Sequence, residues 1–422
     1  MEMKQERNEM QGGIQRSVRV LVADDSAVMR GVMRTLFLQQ TEKGGGGLLP
    51  MELCGEARDG VECLEAMQRL QPDVLLLDLE MPRMHGLDVL DRLQAQGSEV
   101  PVIMCSAYTE RGARSTLDAL ARGASDYVMK PSEQSDFSAA TQVLAEHLFP
   151  KIAALALCGR SRSGPSESDA SRAGVECQSA IGQERGVQEG SRGQIAVVVI
   201  GVSTGGPSAL EVMLPRLPVS LPVPVLIVQH MPKVFTGALA ERLDQCCGLR
   251  VREAYEGAAM VAGTVWIAPG DMHMEVSANR RTGGAVGLIH LHQEKPLNFC
   301  RPSVDHLFFS AARAYGARTL AVVMTGMGAD GLAGARAVHA AGGEVLTQDE
   351  ASSVVWGMPG RVSAAGIASA TLPLTELAEE LKHRVMASRG GKSAGVCEHD
   401  IHSGSKERVI TKTRREVSHG VL

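Results

Sequence analysis

No stretch of this 422-residue chain approaches the ~20 consecutive apolar residues that cross a bilayer, so membrane insertion is not expected. No basic excess exists either: 43 Lys and Arg face 48 Asp and Glu, a net charge of −5, which gives nucleic acid or an anionic membrane surface no grip. The nine cysteines contain no C-x-x-C pair, and their number is odd. That argues for reduced thiols of a cytosol rather than a disulfide framework, and the adjacent Cys246 and Cys247 suit neither a scaffold nor a zinc site. No repeat of fixed period occurs. The opening "MEMKQERNEMQGG" is polar and acidic, unlike a signal peptide, so a cytoplasmic protein is expected.

What is present is ordinary for globular protein: 44% apolar and 22% charged residues, with length for two or three domains. The stretch from Gly159 to Gly193 is dominated by Ser, Gly, Glu and Arg and cannot offset its ordering entropy. A flexible linker is therefore drawn over 151–193, and a loose polar tail over 388–422. Region 17–150 holds five apolar runs, "VRVLVA", "MELCGEA", "DVLLLD", "VPVIMCSA" and "DYVMK", separated by helical patterns. Region 194–387 repeats the grammar with "QIAVVVIG", "VPVLIVQH", "GTVWIAP", "AVGLIHL", "TLAVVMTG" and "GEVLTQ". Both regions predict α/β domains with doubly wound parallel sheets.

In the first domain Asp24 and Asp25 follow the first strand and Asp78 ends the third. In a sheet of order 2-1-3-4-5 those strand ends flank the switch-point crevice, so the three carboxylates converge. Taken singly, each is an ordinary turn or cap residue. Together they repel one another unless a cation lies among them, and magnesium prefers such oxygen ligands. Ser106 and Lys130, at the ends of strands four and five, complete an anion pocket beside the metal.

In the second domain "VIGVSTGGPSAL" sets Ser203 between a strand and a helix. The glycine spacing is not G-x-G-x-x-G, and no lysine makes a P-loop. Phosphate binding by backbone amides stays open in a less familiar form. The other answer is nucleophilic: His230 and Asp330 sit at two further strand ends, on the same side of a parallel sheet. Imidazole can take a serine proton, and a carboxylate on its other nitrogen fixes the tautomer. The turn "GMGADG" presents Met327 and Gly328 as backbone donors for an oxyanion. Each residue also has a plain role, as N-cap, solvated histidine or turn aspartate.

Two resemblances bear on the choice. "VLVADDSAVMR", "LLLDLEMPRMHGLDVL", "CSA" and "YVMKP" resemble the receiver domains of two-component response regulators. That likeness implies phosphorylation of Asp78, magnesium held by Asp24, Asp25 and Asp78, phosphate contacts from Ser106 and Lys130, and an aromatic switch at Tyr127. His85, at an often acidic position, and the lengthened "TEKGGGGLLP" depart from the pattern away from the pocket. "GVSTGGPSAL", "VQHMP", "APGDMHM", "RPSVDHLF", "MTGMGADG" and "SSVVWGMPG" resemble the catalytic domain of the chemotaxis protein-glutamate methylesterases.

This second likeness implies Ser203 as nucleophile, His230 as base and acid, Asp330 as its partner, Thr204 as a positioning residue and the Met327–Gly328 turn for the oxyanion. His273 and Asp305 rank below these, and His292 and His306 read as surface or packing residues. The likeness implies demethylation of glutamyl methyl esters, and deamidation of certain glutamines, on methyl-accepting chemotaxis receptors. It implies a chemotaxis histidine kinase as phosphodonor and no cofactor at the hydrolytic centre. A nucleotide-binding domain, or a second domain that only binds a partner, is the alternative from another class.

Overall fold

A computed structural model describes residues 16–42, 49–131, 137–162, 194–278 and 287–390. The linker expected from 163 to 193 and the tail beyond 390 lie outside these residues.

The first domain is a five-stranded parallel sheet of order β2-β1-β3-β4-β5. Its strands are β1 (Val18–Ala23), β2 (Met51–Ala57), β3 (Val74–Asp78), β4 (Val102–Ser106) and β5 (Asp126–Met129). Every residue of β3 and β4 is buried, as a central strand covered by helices on both faces requires. The helices are α1 (Ala27–Glu42), α2 (Gly60–Leu70), α3 (Gly86–Ala95), α4 (Glu110–Ala121) and α5 (Phe137–Arg162). Here the structure corrects the expected boundary. The stretch from 151 to 162 is no linker; it continues α5, and its Ile152, Leu155 and Ala156 are buried in the receiver's apolar core.

The second domain carries a seven-stranded sheet of order β15-β14-β13-β6-β7-β10-β8, parallel throughout. Its strands are β6 (Val197–Val202), β7 (Val225–Gln229), β8 (Arg250–Glu253), β10 (Thr264–Ile267), β13 (Thr319–Val323), β14 (Glu344–Gln348) and β15 (Ala370–Leu372). The run "AVGLIHL" does not join them. It supplies β12 (Gly287–His292), which pairs antiparallel with β11 (His273–Ser277) and β9 (Ala259–Met260) in a separate small sheet. Helices α6 (Gly206–Met213), α7 (Lys233–Cys246), α8 (Val304–Tyr315), α9 (Leu332–Ala340), α10 (Met358–Ala364) and α11 (Leu374–Gly390) complete the domain. The last runs past 387, and Ser388 Oγ accepts the Ile195 amide at 3.2 Å, so the domain extends to 390. Strand order reverses between β13 and β6, which puts the ligand crevice at their carboxyl ends.

The two domains share an interface. Helix α4 packs on α6 and α7, and the apolar core runs from Leu117, Leu120 and Tyr127 into Leu210, Leu214 and Phe235. Tyr127 stacks on Phe235 with ring centroids 4.6 Å apart and planes at 16°. Arg242 pairs with Asp118, Arg114 reaches Glu241 at 3.1 Å, and Ser208 Oγ donates to the Leu120 carbonyl at 2.9 Å. No described helix is long and apolar enough to cross a membrane, and all seven described cysteines are free.

Candidate active site and receiver pocket

Ser203, His230 and Asp330 follow β6, β7 and β13, at the expected rim. His230 Nε2 lies 2.8 Å from Asp330 Oδ2. Asp330 is held by more than the imidazole. Its Oδ1 accepts Ser303 Oγ at 2.7 Å, Asn298 Nδ2 at 3.0 Å and the Asp305 amide at 3.2 Å, while Oδ2 also accepts the Val304 amide at 2.6 Å. The carboxylate thus caps the N-terminus of α8 from a distant loop, where free amides and the helix dipole favour negative charge. Burial opposes ionisation of Asp330, but the bonds to His230, Ser303 and Asn298 outweigh it and hold the carboxyl below its ordinary range. Burial likewise opposes charge on His230, and the bonds to Asp330 and Cys300 overcome it and raise the imidazole pKa.

With Nε2 committed to Asp330, the nitrogen left for a serine proton is Nδ1. It faces Cys300 Sγ at 3.7 Å, and that thiol also lies 3.4 Å from the Asn298 carbonyl, an alternative acceptor. Ser203 Oγ makes no hydrogen bond among the described residues. It and His230 line one cavity of about 20 Å³, with Thr204, Gln229, Asp126 and Tyr127 among its walls. That volume matches about one water.

The Met327 turn abuts the serine. A Cβ built on Gly326 would fall 2.7 Å from Ser203 Cβ and 2.6 Å from Met358 Sδ, so only glycine lets the turn come this close. Gly328 follows with φ of 92°, and the Met327 side chain packs against the cluster in which Val355 joins the receiver's apolar residues. Met327 and Gly328 follow the glycine that touches Ser203. Thr204, expected to position the histidine or the substrate, has its Oγ1 donating to Asp126 Oδ2 of the receiver at 2.7 Å. The other oxygen of Asp126 accepts Lys151 Nζ at 2.9 Å and the Tyr127 amide at 2.7 Å.

The lower-ranked candidates serve as supports. His273 is fully buried, with Nδ1 accepting the Ser303 amide at 3.2 Å and Nε2 3.3 Å from the Lys295 carbonyl. Asp305 accepts the Gly334 amide at 2.6 Å and Asn298 Nδ2 at 2.9 Å. Burial pushes its pKa up, beside the charge of Asp330. Sequence reasoning missed three residues. Gln229 Nε2 donates to the Ser203 carbonyl at 3.0 Å, fixing the serine's backbone; its place beside His230 is the only signal. Asn298 bridges Asp305 and Asp330 from a tight turn in which it and Phe299 both take positive φ, 53° and 63°. Cys300 closes that turn.

In the receiver, Asp24, Asp25 and Asp78 each bring a carboxylate oxygen within 4.8 Å of the others, an all-oxygen set that suits magnesium. Lys130 Nζ lies 2.8 Å from Asp24 Oδ2 and 2.9 Å from Asp78 Oδ2. Burial raises the Asp78 pKa to about 6 despite Lys130 and a 2.8 Å bond from the Leu79 amide. The Ser106 hydroxyl instead accepts from Thr116 Oγ1 of α4 at 2.7 Å.

The comparisons agree with this architecture. Residues 20–142 match the response regulator receiver domain and residues 198–381 the CheB methylesterase domain. A protein-glutamate methylesterase/protein-glutamine glutaminase from Nocardioides sp. is 43% identical over 374 residues, 88% of this chain and 96% of the relative. One of the same name from Trichodesmium erythraeum is 40% identical over 87% of this chain and 99% of its own length. The Thermotoga maritima CheB methylesterase catalytic domain is 41% identical with a TM-score of 0.43, covering 45% of this chain and 98% of that one. Receiver, methylesterase domain and end-to-end identity together place the chain in the CheB family of protein-glutamate methylesterases/protein-glutamine glutaminases.

Proposed function

We propose that the chain is a cytoplasmic, phosphorylation-activated serine hydrolase that removes methyl groups from glutamyl methyl esters on methyl-accepting chemotaxis receptors. Deamidation of certain glutamines follows the same acyl chemistry. The observation that carries this reading is the His230–Asp330 pair at the sheet rim, whose His230 lines the same cavity as Ser203. Ser203 Oγ attacks the γ-carbonyl carbon while His230 Nδ1 takes its proton. Amides of the Met327–Gly328 turn receive the oxyanion. The imidazolium returns the proton to the departing methoxide, giving methanol, or to the amide nitrogen, giving ammonia. Water then attacks the acyl-serine and gives a proton to His230, which passes it to Ser203 Oγ as the C–Oγ bond breaks; the freed glutamic acid loses its proton to solvent. Hydrolysis calls on no cofactor.

The receiver closes this site. Tyr127 and Asp126 wall the cavity, and Asp126 occupies Thr204. Asp78 is the proposed phosphoryl acceptor, for a chemotaxis histidine kinase as donor, with Asp24, Asp25 and Asp78 holding magnesium. The ion, when bound, offsets charge on the phosphoryl oxygens. Lys130 does the same from the protein side. A phosphoryl group at Asp78 draws Ser106 from Thr116, which shifts α4 and Tyr127 off α6, α7 and Phe235.

Trapping tests the catalytic reading. A fluorophosphonate probe is expected to leave its adduct on Ser203, read by mass spectrometry, and faster after phosphorylation. Labelling of other serines alone would overturn it. The switch has two tests. Asp78→Asn is expected to lose labelling by acetyl phosphate with magnesium entirely; persistent labelling moves the acceptor elsewhere. Tyr127→Ala in the full unphosphorylated chain is expected to raise the rate of methanol release about 5- to 150-fold, the usual range for such coupling. A rate at the wild-type basal level would mean the contact exerts no inhibition.

A further inference from the structure

Beside the first turn of α8, three ligating side chains meet that no catalytic step uses. Glu275 lies on β11, His292 ends β12 and His306 stands in the first turn of α8. Each offers a ligand atom within 4.8 Å of the other two. Glu275 Oε1 is the hub: His306 Nδ1 is 3.3 Å away and His292 Nε2 3.8 Å away. Zinc bonds of about 2.0–2.1 Å in a tetrahedron separate ligand atoms by about 3.3–3.4 Å, so the first distance already fits and the second needs a shift of half an ångström or less.

The surroundings favour a cation over a mere ion-pair cluster. Arg313 engages the second oxygen, Oε2, at 3.1 Å, which orients the carboxylate and aims Oε1 at the rings. Two imidazole nitrogens converge on that one oxygen. His292 Nδ1 is buried without a hydrogen-bond partner, so this ring is unsatisfied as it stands. Behind them His273, its centroid 4.1 Å from His306 and 5.3 Å from His292, has both nitrogens spoken for and forms a wall rather than a ligand. Glu275 and His292 are about a quarter exposed, leaving an outward position for water.

We propose that Glu275, His292 and His306 form a two-histidine, one-carboxylate site for a divalent transition metal of the zinc class. Such an ion ties the β11–β12 hairpin to the first turn of α8. That turn carries the Val304 and Asp305 amides that hold Asp330, so the metal braces the support of the candidate catalytic pair without touching it.

The test uses the full chain, stripped with EDTA, exchanged into excess magnesium to fill the receiver site, and titrated with zinc chloride. One equivalent of zinc is expected, read by calorimetry and elemental analysis, and cobalt(II) in its place is expected to give visible ligand-field bands without a thiolate charge-transfer band. Glu275→Gln and His292→Asn are expected each to weaken zinc binding at least about tenfold. Zinc is expected to raise the melting temperature of the wild-type chain but not of these variants, whose far-ultraviolet circular dichroism reports folding. Cys300→Ser is expected to keep the full equivalent. No bound zinc in the wild-type chain, undiminished binding in both folded variants, or loss of zinc in Cys300→Ser would each overturn the proposal, the last by moving the ion to the His230–Cys300–Asp330 cluster.

Discussion

Asp330→Asn is expected to lower kcat for methyl-ester hydrolysis about 10⁴-fold, because an asparagine facing Nε2 as a donor stabilises the wrong imidazole tautomer. With Asp330 in place, Nε2 donates its proton to the carboxylate and Nδ1 is free to accept one from Ser203. An asparagine turned with its NH₂ toward Nε2 moves the ring proton to Nδ1, and the base is lost. The pH profile separates this from a general loss of structure. The carboxylate raises the His230 pKa, so activity that needs neutral imidazole rises with pH up to that raised value and falls on the acid side. Removing the charge moves the acid limb of kcat/KM toward the ordinary histidine range, to lower pH. A variant with the wild-type rate and an unmoved limb would take Asp330 out of the mechanism. Methanol release from methylated receptor, followed across pH, reads both quantities.

Ser203→Ala carries the larger expected loss, about 10⁴- to 10⁶-fold in kcat, since base and acid act only through the nucleophile. The structure makes this a clean substitution. The Ser203 amide donates to the Thr325 carbonyl at 3.0 Å, and its own carbonyl accepts Gln229 Nε2 and the Gly206 amide. The hydroxyl takes no part in holding the loop, so alanine leaves the backbone anchored. Binding of methylated receptor should persist while turnover disappears. Turnover within tenfold of wild type would return the second domain to a partner-binding role.

Much of this arrangement is legible in sequence because strand ends in parallel sheets point one way. Apolar runs such as "DVLLLD" and "TLAVVMTG" announce buried strands, and the polar residue that ends each run falls on the rim automatically. The same logic misplaces "AVGLIHL". Its apolar content resembles a parallel strand, and only pairing with β11, whose "HMEVS" has no comparable run, makes it part of an antiparallel sheet. Strand β8, "RVRE", has too few apolar residues to register at all. The helix through 151–162 escapes notice because Pro150 interrupts its pattern, although Ile152 and Leu155 remain packed beyond it. In the site, Thr204 was legible as important but not its partner. Asp126 lies 78 residues earlier and in another domain, and only the docked fold brings the two within 2.7 Å. Asn298 and Cys300 gave no signal because their contacts depend on a turn with two positive φ angles, one of them at a phenylalanine that sequence rules place elsewhere.

The docked face of α4 has a thermodynamic corollary. One added phosphoryl group supplies only a few kcal/mol of bias, so a closed form that it can undo must be favoured by no more than that. The contact combines one ring stack, aliphatic side chains, the Thr204–Asp126 and Ser208–Leu120 hydrogen bonds, and partly exposed ionic pairs whose strength water and salt erode. Under the proposed switch, filling the same area with leucine and isoleucine throughout would leave the enzyme permanently shut, and a seam of mixed character is what would leave it reversible.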